Sequence, residues 1–394
     1  FIETHVLPIV DVQVDFSAGS AYDPADKAGL ATLTRRLLDA GAGDLDEETL
    51  AGRLVDVGAR VGGDMDRDRS GISIRTLSYP AERQVALDLL RLMLSQPRFP
   101  EAMLVRERAR AIAAIQEAET RPDSIARRRF DAALYPGHPY GYTETAESVG
   151  RITRDDLVAF HRDHYSANRA VVAIIGDLPR AEAERIAQSL TADLPAGSAE
   201  APLPPVTLPK AEVQKVAHPA AQSHIHVGLP AVRRGDPDYF PLLVGNYSLG
   251  GGGFVSRLMK EVREKRGYAY SVYSYFAPRK QEGPFEIGLQ TKREQAAEAL
   301  QVADDVLRGF LASGPTEAEL AAAKKNLIAG MALRIDSNAK LLGYLSLIGF
   351  YDLPLTYIDD FPKRVDAVTT AQVKAAFARH VGLEHLVTVM VAAD

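Results

Sequence analysis

The sequence predicts an α+β protein of two homologous domains, each a mainly antiparallel sheet with helices packed on one face. Three observations carry this prediction. Two distant stretches repeat each other, a Pro- and Ala-rich segment lies between the halves, and each half mixes hairpin-like strands with grouped long helices. The repeat is clearest where each half ends. Ile152-Thr153-Arg154-Asp155-Asp156-Leu157 leads into a helix to His164 and then an apolar strand over 170–175. Val368-Thr369-Thr370-Ala371-Gln372-Val373 leads into a helix to His380 and a strand over 386–391. In both, the first Thr is placed to cap the free amides of the helix start. Thr153 aligns with Thr369 and His164 with His380, a spacing far beyond the roughly 20–50 residues of solenoid repeats.

The expected organisation is a first domain over residues 1–194, an extended linker over 195–210 and a second domain over 211–394. The linker reads PAGSAEAPLPPVTLPK, too rich in Pro and small residues for helix or strand. In the first half a strand is expected at 8–16, a helix at 27–40 and a strand over Ser70–Leu77. Helices at 80–94, 101–119 and 124–134 follow. In the second half the pattern predicts a strand at 223–229, helices at 239–249 and 254–266, and strands at 268–276 and 283–290.

Bulk composition narrows the function. With 394 residues, 46% of them hydrophobic and 25% charged, the chain can bury more than one core. A net charge of −6 argues against a nucleic-acid surface. No apolar run approaches the ~18 residues needed to span a bilayer. The chain has no cysteine, so disulfides, thiolate nucleophiles and Cys-based metal sites are excluded. It opens at Phe1 rather than Met, which leads us to expect a missing N-terminal segment such as a signal peptide. Export to the periplasm fits that start, with the cytoplasm as the alternative.

The stretch richest in chemistry runs from Leu249 to Tyr275, LGGGGFVSRLMKEVREKRGYAYSVYSY. Four glycines, Gly250, Gly251, Gly252 and Gly253, permit close backbone approach. An amphipathic helix is expected to stop at Gly267, a fitting left-handed cap, before a tyrosine-rich strand. Arg263 and Tyr270 lie on either side of that stop. Both have plain structural readings: a cation suits a helix C-terminus, and tyrosine favours a strand. The glycines equally suit a flexible loop.

This segment resembles the C-terminal half of the pitrilysin/insulinase-type zinc peptidases, the processing-peptidase-like (M16B) branch of peptidase family M16. Arg263 and Tyr270 fall on that family's substrate-binding Arg/Tyr pair, and His218-Pro219, Gly235-Asp236-Pro237-Asp238-Tyr239 and Ser256-Arg257-Leu258 match around it. The resemblance spans nearly the whole chain and implies a processing-peptidase-like fold. It also implies that Arg263 and Tyr270 contact the carbonyl or oxyanion of a peptide at a zinc held by another chain, with Gly250 to Gly253 lining the substrate. Active members carry His-x-x-Glu-His on the first helix of the N-terminal domain. Here Gly29-Leu30-Ala31-Thr32-Leu33-Thr34-Arg35-Arg36-Leu37-Leu38 keeps the frame and loses the ligands. Thr32 and Arg36 stand at the two His positions and Arg35 at that of the general base. The family's spacing to its third ligand reaches Ala113. A guanidinium has no lone pair to offer a metal.

The resemblance therefore implies a chain with no cofactor of its own, paired with a homologous subunit whose His-x-x-Glu-His motif is intact and holds zinc. Peptide is the expected substrate; no nucleic acid and no membrane span are expected. The competing reading is a proteolysis-inactive scaffolding homologue. An enzyme of other chemistry finds no support, since no Ser elbow or phosphate-binding glycine loop with lysine occurs. Nor do the histidines build a metal site. His161 and His164 read as a solvated helix end, His224 and His226 as one face of a partly buried strand, and His5, His138, His218 and His385 as isolated residues.

Overall fold

The computed structural model describes residues 1–198, 200 and 202–393, so two expected linker residues, Ala199 and Ala201, lie outside the described residues. The remainder of 195–210 contains neither helix nor strand. Two five-stranded sheets form, and they are built alike. The first runs, edge to edge, Ile2–Glu3, Val171–Gly176, Ile9–Phe16, Ser70–Leu77 and Arg60–Gly62. The second runs Glu212–Val216, Val387–Val391, Gln222–Val232, Gly283–Lys292 and Ala269–Phe276. In each, one edge strand pairs parallel with its neighbour and the other pairings are antiparallel. This is the α+β, processing-peptidase-like fold that the sequence predicted, except that helices do not keep to one face: in the first unit they cover both faces of the sheet.

The two Thr caps form as expected. Thr153 and Thr369 each accept from the amide three residues on, and Asp156 and Gln372 reach back in reciprocal capping boxes. The helices they start end in His164 and His380, whose Nδ1 atoms lie 3.1 Å and 2.8 Å from the carbonyls of Ser17 and Ala231. Two homologous helices are thus tied in similar ways, one to the residue just beyond the strand Ile9–Phe16 and the other to the end of the strand Gln222–Val232.

The chain folds into two compact units that are not contiguous. The first comprises Phe1–Gln116, Glu144–Pro202 and Leu333–Leu355. The second comprises Glu117–Thr143, Leu203–Ala332 and Thr356–Asp394. The 1–194 and 211–394 segments thus describe the repeat in chain order, while packing exchanges one helical segment each way.

In the first unit, Val10, Val12, Val14 and Phe16 are fully buried on one face of the sheet, against the helix Leu30–Arg36 and the longer helix Pro80–Ser95. The other face carries Asp11, Gln13 and Asp15, and there Ala173 and Ile175 pack on Leu342 of the late helix Asn338–Phe350. Asp15 is 1% exposed and is held by Ser346 of that helix, with Arg69 donating to Ser346 at 2.5 Å. Burial pushes the Asp15 carboxyl up, against the pull of Arg69 and Ser346.

The second unit mirrors this. The helix Pro122–Leu134 lies on the sheet of the second half, where Gly228 has no room for a Cβ, which would lie 2.1 Å from the Phe285 carbonyl oxygen and 3.0 Å from the Phe130 ring. Arg127 of that helix donates to both oxygens of Glu286, at 2.5 and 2.6 Å. Glu286 is fully buried and also accepts from His226 at 2.9 Å and Tyr275 at 2.5 Å. Burial alone would raise its carboxyl, but His226 and Arg127 outweigh burial and hold it down at about 2.

Two sequence expectations fail locally. The first helix is shorter than 27–40: a 3-10 turn spans Ala25–Lys27, and the α-helix covers only Leu30–Arg36. Gly29 at φ 107° sets its start, and buried Asp23 accepts from the amides of Gly29 and Ala31 at 2.8 and 2.7 Å. His161 and His164 are not a solvated helix end. His161 is 8% exposed, donates to the Leu94 carbonyl at 2.8 Å and stacks on Tyr165. Burial pushes its ring down to about 4. His164 packs against Phe160 and Tyr22, and burial lowers it too.

Candidate functional site

The Leu249–Tyr275 segment adopts a conformation that propensity does not announce. Instead of one α-helix over 254–266, the chain passes through a π-helical turn at Tyr247–Gly251, a 3-10 turn at Gly253–Val255 and a second π-helical stretch at Met259–Glu264. Such wide turns are rare and concentrate at functional sites. The glycines make the first of them possible. A Cβ on Gly250 would lie 2.4 Å from the Ser274 hydroxyl and 2.6 Å from its amide nitrogen; on Gly252 it would meet the Tyr247 carbonyl at 2.6 Å. On Gly251 it would come within 2.6 Å of the Asn246 side chain. Close approach at these three positions is thus made by the chain itself. Gly253 differs: its φ is +60° and a Cβ there would meet nothing within 4 Å.

Side-chain ties fix this irregular segment. Asn246 donates to the Ser274 carbonyl at 2.9 Å and accepts from the Ser274 hydroxyl at 2.6 Å, joining the first π turn to the strand Ala269–Phe276. Arg257 binds both carboxylate oxygens of Glu319 at 2.8 and 2.7 Å, donates to the Gly314 carbonyl at 2.9 Å and lies 5.0 Å over the Phe310 ring. Arg257 holds the Glu319 carboxyl down at about 2. This anchor belongs to the Ser256-Arg257-Leu258 match, whose spatial role no sequence pattern revealed.

Gly267 takes the left-handed conformation expected of it, at φ +66°. Its amide donates to the Arg263 carbonyl at 2.9 Å, and that of Tyr268 donates to Val262 at 3.0 Å. The reversal brings Arg263 and Tyr270 together, with the guanidinium carbon 4.9 Å from the centroid of the Tyr270 ring. It also lies 4.8 Å from the ring of Phe254, which the sequence did not single out. Phe254 is 61% exposed and Tyr270 83%. Among the described residues Arg263 has no carboxylate within ion-pair distance, so its donors are uncommitted. The only signal for Phe254 was a large aromatic placed directly after four glycines.

The positions that correspond to a zinc motif have other work. The Thr32 hydroxyl donates to Glu144 at 2.6 Å. Arg35 donates to the carbonyls of Gly71 and Gly62, each at 2.5 Å, and packs so close to Gly63 that a Cβ there would come within 2.8 Å of its guanidinium. Arg36 and Ala113 are exposed. One hydroxyl, two cations and a methyl do not make a zinc site. Elsewhere, one group of three possible ligands meets among the described residues, Asp236, Asp238 and His380. Asp238 already has a cationic partner, and Asp236 accepts a backbone hydrogen bond. Arg379 binds both oxygens of Asp238 at 2.7 and 2.8 Å, His380 lies 3.0 Å from Asp238, and Asp236 accepts from the Asp238 amide at 2.8 Å. His226, expected on a half-buried strand face, is bonded to Glu286 as described above.

Two family models match the chain: insulinase, peptidase family M16, over residues 2–146, and the peptidase M16 inactive domain over residues 151–327. The chain belongs to the M16 peptidase family. A solved structure from Pseudomonas fluorescens, described as a peptidase M16 inactive domain, is 38% identical with a TM-score of 0.95, covering 99% of this chain and 94% of that one. Among curated relatives, the non-peptidase homologue YmxG of Helicobacter pylori is 26% identical over 98% of this chain and 89% of its own length. An uncharacterised zinc protease of Mycobacterium leprae is 28% identical over 95% and 85% respectively. M16 relatives of this chain thus carry both peptidase and non-peptidase names. No helix of the described residues is long and apolar enough to cross a membrane.

Proposed function

We propose that this M16 chain is the non-catalytic, substrate-binding subunit of a two-chain zinc metallopeptidase that cleaves peptides. The observation that carries the reading is Arg263, a guanidinium flanked by the exposed rings of Phe254 and Tyr270 with no carboxylate to neutralise it. A homologous subunit with an intact His-x-x-Glu-His motif would hold the zinc and its water-activating Glu. This chain supplies Arg263 and Tyr270, whose N–H and O–H donors meet the developing oxyanion at the peptide carbonyl; of the four glycines, Gly251 to Gly253 border the bound peptide, Gly250 being buried against Ser274. Thr32, Arg35, Arg36 and Ala113 take no part in metal binding.

The test is to purify this chain alone and with a zinc-bearing M16 homologue, then measure bound zinc and cleavage of unstructured peptides. The pair is expected to cleave, this chain alone to bind no zinc and cleave nothing. Arg263→Ala in the pair should lower turnover about 10²–10³-fold, the usual loss for one oxyanion donor. Zinc-dependent activity from this chain alone, or full activity of the Arg263→Ala pair, would overturn the assignment. The second reading, a proteolysis-inactive scaffolding homologue, draws on the non-peptidase name of the Helicobacter pylori relative. It expects no peptide cleavage with any M16 partner.

A further inference from the structure

We infer that Phe254 is the third member of the Arg263–Tyr270 site, a positioning residue that holds the guanidinium by cation–π contact so that its N–H donors stay available to the substrate. The inference rests on the proposed function for its catalytic meaning and on geometry alone for the clamp itself. Arginine is a long, flexible side chain, and one without an ion-pair partner keeps much of its rotamer freedom unless something else holds it. Here the holder is aromatic. The guanidinium carbon lies 4.8 Å from the Phe254 centroid and 4.9 Å from that of Tyr270, well inside the range for cation–π attraction. An aromatic ring attracts the guanidinium through its π electrons and takes up none of its five N–H donors in conventional hydrogen bonds to oxygen. An ion pair would do the reverse, consuming the donors that an oxyanion needs.

The second strand of the argument is the cost of placing Phe254 where it is. With 61% of its surface exposed, the ring contributes little to any core. The backbone nevertheless goes to some length to put it there. Gly253 takes φ +60°, the following 3-10 turn lifts Phe254 outward, and the buried Ser256 hydroxyl donates to the Gly253 carbonyl at 2.7 Å to fix the turn. Behind it, Gly250 and Gly252 admit the tight π turn that delivers the chain to that point. The four glycines therefore have a joint product, an exposed phenyl ring at a set distance from Arg263. Tyr270 alone, on the far side of the Gly267 reversal, would hold the guanidinium by one ring instead of two.

Two readouts test this, the first needing no partner. In the chain labelled with ¹⁵N-arginine, the Arg263 side-chain N–H resonance, assigned by its loss in Arg263→Lys, is expected upfield because two aromatic ring currents act on it. Phe254→Ala and Tyr270→Ala should each reduce that displacement, and the double variant should abolish it, while circular dichroism stays unchanged because both rings are exposed. An Arg263 resonance unaffected by Phe254→Ala overturns the clamp, whether or not any pair cleaves peptide. In the assembled pair, Phe254→Ala is expected to lower kcat about tenfold with little change in KM. Phe254→Tyr should restore the rate, Phe254→Leu only part of it, and Phe254→Ala should add nothing to Arg263→Ala. Lost ring-current displacement with unchanged kcat would overturn the positioning role. A pair inactive with every chain variant and with the wild type would overturn the proposed function, and the catalytic meaning of the clamp with it.

Discussion

Arg35 and Arg263 sit in the two halves of one duplicated fold, and the structure treats them in opposite ways. Arg35 donates to two backbone carbonyls, those of Gly62 and Gly71, and stitches the short edge strand Arg60–Gly62 to its neighbour. Arg263 has two aromatic faces beside it and no acceptor among the described residues. The same side chain is cement in one place and an open tool in the other. What separates them is the partner's chemistry: carbonyls accept from its donors and use them, whereas aromatic rings leave them available. Arg127, bidentate on the buried Glu286, is the extreme of the first kind.

If that contrast is right, stability should follow commitment. The largest effect is expected for Arg127→Ala, which strands a fully buried carboxylate with only His226 and Tyr275; about 3–5 kcal/mol should be lost in urea unfolding. Next is a pH effect in the first unit. His161 stays neutral in the fold down to about pH 4, whereas an unfolded histidine takes its proton near pH ~6.5. Its contribution is therefore full above pH ~6.5 and is lost as pH falls toward about 4, amounting to about 3 kcal/mol; His161→Gln should flatten that part of the stability–pH curve. Arg35→Ala leaves two carbonyls without a donor and should cost about 1–2 kcal/mol, with faster amide exchange confined to residues 60–63 and 71. Arg263→Ala should cost less than about 0.5 kcal/mol by the same unfolding measurement, as for a residue outside any hydrogen-bond or ion-pair network. Were Arg263→Ala to destabilise as much as Arg35→Ala, the distinction between the two arginines would collapse.

Much of the fold could be read from the chain, because its signals are local. Thr153 and Thr369 with their reciprocal partners three residues on announce helix starts, and the alternation Val10, Val12, Val14 against Asp11, Gln13, Asp15 announces a strand. Gly267 was expected in a left-handed cap and has one. What escaped the sequence depends on distant partners. Glu286 in a strand looks like a surface residue until Arg127, remote in the chain, is brought onto it. His161 looked solvated beside Arg162 and Asp163, yet its own face of the helix turns inward to Leu94. The two π-helical stretches follow from the packing of Gly250 on Ser274 and from the anchoring of Arg257 by Glu319, neither of which a periodicity registers. Phe254 escaped for the same reason: its meaning lies in the ring's distance to Arg263.

The exchange of helical segments bears on how the chain comes into being. The first unit is finished only by Leu333–Leu355, which reaches it after most of the second unit's residues have been made. Until the helix Asn338–Phe350 arrives, Asp15 lacks Ser346 and the Asp11–Gln13–Asp15 side of the sheet lacks its cover. On the ribosome, then, the first sheet must wait, one face uncovered, for a helix that is made much later in the chain. A cut within the linker 195–210 would leave the folded chain interlaced, but neither fragment made separately would own a complete set of parts.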